Sequence, residues 1–110
     1  MQGVSVAAFV RVGSVEEIEE GGVIAVEVDG VELVLARCEG IIYALDNICT
    51  HAHAYLSEGD VDTDDCTIEC PLHGARFDLA TGRARSLPAT VPARTFPVRV
   101  TDGQIEVVLD

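Results

Sequence analysis

The chain has 110 residues, 19 acidic side chains against seven arginines, no lysine, and a formal net charge of −12. That length suits one domain over 1–110 with a modest core, and that charge works against binding nucleic acid or anionic lipid. Hydrophobic residues make up 48% of the chain, yet no apolar run approaches the roughly 20 residues of a membrane span.

The first apolar run of strand length is Val6 to Val12. Ser14-Val15-Glu16-Glu17 matches a capping box, S-x-x-E, and predicts one short helical turn ended by Gly21-Gly22. Val23 to Val28 and Val31 to Ala36 read as strands around Asp29-Gly30, a strong hairpin signal because both positions tolerate positive φ. Glu39-Gly40 makes a second turn before a strand over Ile41 to Leu45. Four short strands with turn signals every eight to ten residues argue an all-β fold. Asp46-Asn47 then leaves the sheet. Leu56 to Asp65 is acidic and turn-rich, Cys66 to Glu69 is a short strand, and Ala75 to Leu79 leads to a turn at Thr81-Gly82. Ser86 to Pro97 holds three of the four prolines, a spacing that forbids a central strand or helix and predicts an extended surface connection. Phe96 to Thr101, Asp102-Gly103 and Gln104 to Leu109 form a closing hairpin.

The N-terminus, Met1-Gln2-Gly3-Val4-Ser5, has no charged leader region, apolar core or twin arginine, so the expectation is a soluble protein of the cytoplasm. In that reducing compartment four cysteines point to metal or redox chemistry before disulfides. Two of them sit in tight mixed pairs: Cys49-Thr50-His51, and Cys70-Pro71-Leu72-His73. Soft thiolates with borderline imidazoles suit zinc or iron–sulfur. A zinc finger keeps one ligand type in each pair. Here each pair mixes the two; with two irons, one can take both cysteines and the other both histidines, as when His₂ replaces Cys₂ on one iron of a [2Fe–2S] centre.

These residues resemble the Rieske family. Cys49-Thr50-His51-Ala52 and Cys70-Pro71-Leu72-His73-Gly74 match its C-x-H and C-P-x-H-G motifs. Ala75-Arg76-Phe77-Asp78-Leu79-Ala80-Thr81-Gly82 is similar to the tail of the ferredoxins that serve bacterial aromatic-ring-hydroxylating oxygenases. The resemblance implies stacked antiparallel sheets, a small β-sandwich, with a two-loop cluster-binding subdomain at about 46–82. It implies one [2Fe–2S] cluster, with Cys49 and Cys70 on the inner iron and His51 and His73 on the outer one. It further implies a monomeric carrier that does no bond chemistry on a substrate. The electron comes from an NAD(P)H-dependent flavoprotein reductase and goes to the terminal oxygenase of an aromatic-ring dioxygenase, with the histidine end as docking face.

Rieske potentials run from about −150 to +300 mV. Respiratory members carry a loop-to-loop disulfide, whose cysteines fall here at Ala54 and Leu72, and two hydroxyls to the cluster sulfurs, which fall at Ala75 and Phe77. Hydrogen bonds stabilise the more negative reduced state, so their loss predicts the low end of the range.

Other residues carry plainer readings. Cys38 and Cys66 are spare and read as small, partly buried hydrophobes; a disulfide between them depends on their Cα separation. His53 reads as an exposed loop histidine. Pro71 and Gly74 shape their loop, and with Ala52 and Leu72 they leave the cluster end uncharged. Glu16 to Glu20 and Glu58 to Asp65 read as solvated acidic faces, and Arg76, Arg83 and Arg85 as partners for nearby carboxylates at little gain. Competing functions are the small Rieske-like subunit of an assimilatory nitrite reductase, a structural zinc domain, and a redox or pH sensor.

Overall fold

The computed structural model describes residues 9–50, 54–72, 74–87 and 91–109. Among the described residues ten short strands follow one another: β1 (Val10–Ser14), β2 (Val23–Val28), β3 (Val31–Cys38), β4 (Ile41–Asp46), β5 (Val61–Asp62), β6 (Thr67–Glu69), β7 (Arg76–Asp78), β8 (Thr95–Phe96), β9 (Val98–Thr101) and β10 (Gln104–Val107). They make three antiparallel sheets in the orders β1-β10-β9, β2-β3-β4-β8 and β5-β6-β7. No helix among the described residues is long and apolar enough to cross a membrane.

Three two-residue turns set the register. Asp29-Gly30, Glu39-Gly40 and Asp102-Gly103 each hold both central residues at positive φ, as at Asp29 (50°) and Gly30 (81°). The twist of such turns matches that of the strands they join. They bring Val28 opposite Val31, Cys38 opposite Ile41, and Thr101 opposite Gln104.

Strand β3 is the centre of the molecule because the period-2 alternation of its side chains is apolar on both faces. Leu33 and Leu35 face one core with Ile18, Ile42, Ala44, Phe96, Ile105 and Val107. Val34, Ala36 and Cys38 face a second core with Leu45, Leu56, Ile68, Phe77 and Leu79. The first core joins the β1-β10-β9 sheet to the middle sheet as a small sandwich. The second seats the β5-β6-β7 sheet on the opposite face, so the chain has three layers. The all-β expectation and its stacked antiparallel sheets hold.

Several strand ends shift by one or two residues, and two boundaries move for a clear local reason. The first strand runs over Val10–Ser14; residues 6–8 of the expected run lie outside the described residues. Ser14 is still extended (φ −120°, ψ 145°), so it ends the strand and caps the 3₁₀ turn Val15–Glu17 at once. The capping box forms as expected: Ser14 Oγ accepts the Glu16 N–H, and Glu17 Oε1 accepts the Ser14 N–H at 3.0 Å. Near the C-terminus the single expected strand over 96–101 divides at Pro97. The proline has no N–H for a ladder, and there the chain passes from the edge of the middle sheet (β8) into the outer sheet (β9).

Candidate metal centre

Both ligand loops are built the same way. Each leaves a strand of the second core, turns, and is closed by the cysteine's own amide. The Cys49 N–H donates to the Ala54 carbonyl at 2.9 Å, and the Cys70 N–H to the Ala75 carbonyl at 2.7 Å. The second loop is tightened further by the Gly74 N–H on the Cys70 carbonyl (3.0 Å).

The first loop hangs on a buried asparagine. Asn47 is 2% exposed, and a polar side chain so placed needs partners. Its Oδ1 accepts the Ser57 N–H at 2.8 Å. Its backbone carbonyl accepts the Leu56 N–H (2.7 Å), and its N–H donates to the Glu32 carbonyl (3.0 Å). Asn47 therefore ties the loop's two ends together and to the start of β3. Ile48 and Tyr55 bridge across the loop.

Gly59 sets how closely the two loops approach. A Cβ there would lie 1.7 Å from the Glu69 carbonyl oxygen and 3.3 Å from Pro71 Cδ. Only glycine lets the exit of the first loop pass the strand that delivers Cys70. A third segment joins them where the Thr50 hydroxyl donates to the Val91 carbonyl at 2.8 Å.

The run after the second loop has a physical account residue by residue. Phe77 is fully buried in the second core. Asp78 Oδ1 accepts the Ala80 N–H (3.1 Å) and Thr81 Oγ1 the Arg83 N–H (3.1 Å), so both side chains shape one turn. Gly82 has φ 76°, and a Cβ there would meet the Ala93 carbonyl oxygen at 2.0 Å.

Cys49 and Cys70 are 3% and 0% exposed and share the second core. The other ligands read from the sequence, His51 and His73, lie outside the described residues, as does His53. Two buried sulfur donors on twin loops, each with a histidine two or three residues on, fit a two-iron cluster bound by mixed ligands. Ala75 and Phe77, where respiratory members carry hydroxyls, are both fully buried beside Cys70. Neither side chain offers a hydrogen-bond donor.

The rim is apolar and then acidic. Ile48, Tyr55, Leu72 (53% exposed), Leu87 (77%) and Val91 are exposed on the ligand loops and the segment beside them. A shallow cleft of about 370 Å³ opens between the loops, lined by Ala54, Tyr55, Glu58, Pro71 and Leu72. Away from the rim, Arg76 lies 3.3 Å from Asp62 and 3.8 Å from both Asp65 and Glu69, and Arg85 lies 3.3 Å from Asp78. All but Asp78 are well exposed, so these pairs contribute little, as expected for Arg76 and Arg85.

One feature departs from the sequence reading. Cys38 and Cys66 are not two separate hydrophobes: they form a disulfide, with a Cα–Cα distance of 5.8 Å. Nothing in the chain's local pattern pairs them. Only the fold brings the end of β3 against the turn before β6.

Comparison with known proteins agrees with this geometry. The model of the Rieske [2Fe-2S] domain matches residues 8–97. The ferredoxin component of the naphthalene 1,2-dioxygenase system of Pseudomonas aeruginosa is 50% identical over 88 residues, 80% of this chain and 82% of that protein. Among solved structures, the ferredoxin of carbazole 1,9a-dioxygenase from Nocardioides aromaticivorans IC177 superposes with a TM-score of 0.90 at 38% identity, over 94% of this chain and all of that one. A chain from a complex of reduced oxygenase and oxidised ferredoxin in carbazole 1,9a-dioxygenase gives 0.84 at 37%, over 91% of this chain and 92% of that one. The nitrite reductase small subunit of Mycobacterium tuberculosis gives 0.83 over 96% and 98%, but at 23% identity, a likeness of fold alone. The chain belongs to the Rieske [2Fe–2S] domain family, carries one cluster of that type, and is similar to the ferredoxin components, the electron carriers, of dioxygenase systems.

Proposed function

We propose that this chain is the one-electron carrier of an aromatic-ring dioxygenase system, a single domain that receives its electron from an NAD(P)H-dependent flavoprotein reductase and passes it to a terminal oxygenase. The twin loops carry this reading: two buried cysteines, closed by matching amide bonds, at one apolar end of the molecule. Cys49 and Cys70 hold the inner iron, His51 and His73 the outer one. The cluster supplies one-electron storage. The chain's own residues fix the loops and exclude water from the cysteine side. They also present an uncharged rim of Ile48, Tyr55, Leu72, Leu87 and Val91, on which a partner docks closely. The relative solved with its oxygenase supports that partner. The carrier works as a cytoplasmic monomer, because one exposed end serves both partners in turn. With no hydroxyl at Ala75 or Phe77, its potential lies near the low end of the family range, about −150 mV.

The test is low-temperature EPR of the purified protein before and after dithionite, with iron and sulfide counted and a redox titration on the same sample. A silent oxidised form that becomes a rhombic signal of low average g is expected. A colourless protein with one zinc per chain would overturn the reading, and a potential above zero would overturn its low-potential part. The nitrite reductase reading rests on fold likeness alone, and no observation favours a sensor.

A further inference from the structure

We propose that the Cys38–Cys66 disulfide is a thiol-exchange site that clamps the cluster-binding sheet to the middle sheet and is opened by a dithiol reductant. The proposal rests on the function proposed above for what the clamp protects and for the reducing compartment.

Position comes first. Cys38 is the last residue of β3, in the middle sheet, and Cys66 lies in the turn that starts β6. Their Cα atoms are 5.8 Å apart, within the ordinary span of a disulfide. The bond thus joins two layers that otherwise meet only through side-chain packing and loops. On the cluster side it grips the root of the subdomain. The Cys66 carbonyl accepts the Leu79 N–H at 2.9 Å, so the residue holds the segment leaving β7 while its own strand runs four residues to Cys70. The strands served are two or three residues long, and so short a sheet needs help to stay ordered.

The backbone at Cys66 is a second sign. Its φ is 54°, in the left-handed region where a residue with a Cβ is disfavoured. A glycine or asparagine would take this turn more easily. A cysteine held there is compensated by the cross-link it makes.

Chemistry then gives the direction of exchange. Cys38 is fully buried and Cys66 half-buried, so an incoming thiolate meets the Cys66 sulfur. Attack forms a mixed disulfide at Cys66 and expels Cys38 as a thiolate, which takes up a proton. The Thr63 carbonyl lies 3.6 Å from that sulfur, a waiting acceptor for the new thiol. The second thiol of the dithiol then displaces Cys66, which leaves as a thiol. One Sγ–Sγ bond breaks, one forms in the reductant, and two electrons and two protons pass to the chain. A disulfide in a protein of a reducing compartment is one that exchanges. Opening it frees the root of β6 and lets the cluster-binding sheet separate more readily from the body.

The test uses the holoprotein and dithiothreitol. Acid-quenched protein is unfolded with an alkylating agent and no reductant, then mapped as peptides. Cross-linked 38–66 and alkylated Cys49 and Cys70 are expected. Folded protein treated first with dithiothreitol should yield all four cysteines alkylated. Alkylated Cys38 and Cys66 without reductant, or a cross-link that survives dithiothreitol in the folded protein, would overturn the proposal. Cluster loss on warming, followed by visible absorbance, should become several-fold faster in wild type with dithiothreitol. The C38S/C66S double variant should lose its cluster at that faster rate with or without reductant. An equal response of both proteins would instead show that the reductant acts on the iron, and would overturn the clamp. Peptide mapping reads no iron, so a chain without a cluster would sink the electron-carrier reading and still leave the exchange site decided.

Discussion

The two halves of this molecule are held together by different means. In the sandwich, β2 and β3 share six residue pairs and β3 and β4 another six, with two leucines of β3 buried against the outer sheet. In the cluster-binding sheet, β5 and β6 share two pairs and β6 and β7 three. What the second region lacks in ladder length it replaces with other anchors: a disulfide, a large buried aromatic, Phe77, and, on the function proposed above, the cluster. Long ladders make a body that can fold on local hairpins. Short ladders with few anchors make a region whose geometry is tight but whose stability depends on each anchor. Variants on the two sides should therefore fail in different ways.

The largest effect is expected at Gly59. In Gly59→Ala the new Cβ would sit 1.7 Å from a backbone oxygen of Glu69, and backbone cannot swing aside as a flexible side chain can. The loops must separate, so the protein should be isolated with much less than one cluster per chain while far-UV circular dichroism stays near wild type. Full iron and sulfide occupancy in that variant would refute the close approach.

Core truncations come next and divide the halves directly. Phe77→Ala removes a fully buried ring from the cluster-side core and should cost about 3–5 kcal/mol. Leu35→Ala, in the sandwich core, should cost about 2–5 kcal/mol. The energies are close, but the symptoms should differ. Phe77→Ala should speed cluster loss at temperatures where the sandwich stays folded. Leu35→Ala should lower the urea midpoint of the whole chain. Equal cluster lifetimes in the two variants would mean that the halves unfold as one unit.

Legibility in the sequence followed the same division. The hairpins of the sandwich were readable because aspartate-glycine and glutamate-glycine pairs sit between apolar runs of strand length, and positive φ at those positions has one structural meaning. At the proposed site the sequence offers mixed C-x-H and C-x-x-H pairs, which have few chemical uses, and the structure buries Cys49 and Cys70 in one core. What was not readable depends on contacts between distant parts. Gly59 looks like any turn glycine until Glu69 is placed beside it. Asn47 looks like a loop residue until the loop closes around it. Cys38 and Cys66 are 28 residues apart, and only the stacking of the third layer on β3 makes them neighbours. The described residues of 86–97 stay out of a central strand, as their prolines require, yet Thr95–Phe96 still adds an edge strand to β4, as an edge position permits.

A smaller effect is expected at Arg76, which faces three carboxylates across the acidic side of the cluster-binding sheet. The pairs are exposed, so Arg76→Gln should cost no more than about 1 kcal/mol, and less in high salt. Urea midpoints at low and high ionic strength measure this. A loss well above that figure, or one insensitive to salt, would give the arginine a structural role that the geometry does not indicate.

The smallest effect belongs to the sandwich. Glu20 accepts the backbone N–H groups of Gly40 and Glu39, at the turn between β3 and β4. Those bonds, with the nearby Arg37 charge, hold its carboxyl below the ordinary value of 4.5. A carboxyl whose pKa is lower folded than unfolded adds stability above the unfolded value. It loses that increment as pH falls through the folded value. Wild type should therefore lose a small part of its stability on acidification below about pH 4.5 that Glu20→Gln does not lose. Far-UV circular dichroism in urea, stepped through that range, reads the sandwich and not the cluster. Parallel pH profiles in the two proteins would remove Glu20 from the acid response. A difference confined to cluster absorbance would mean that a side chain capping a turn of the sandwich acts on the far layer, and the two regions would then be coupled more tightly than their separate cores suggest.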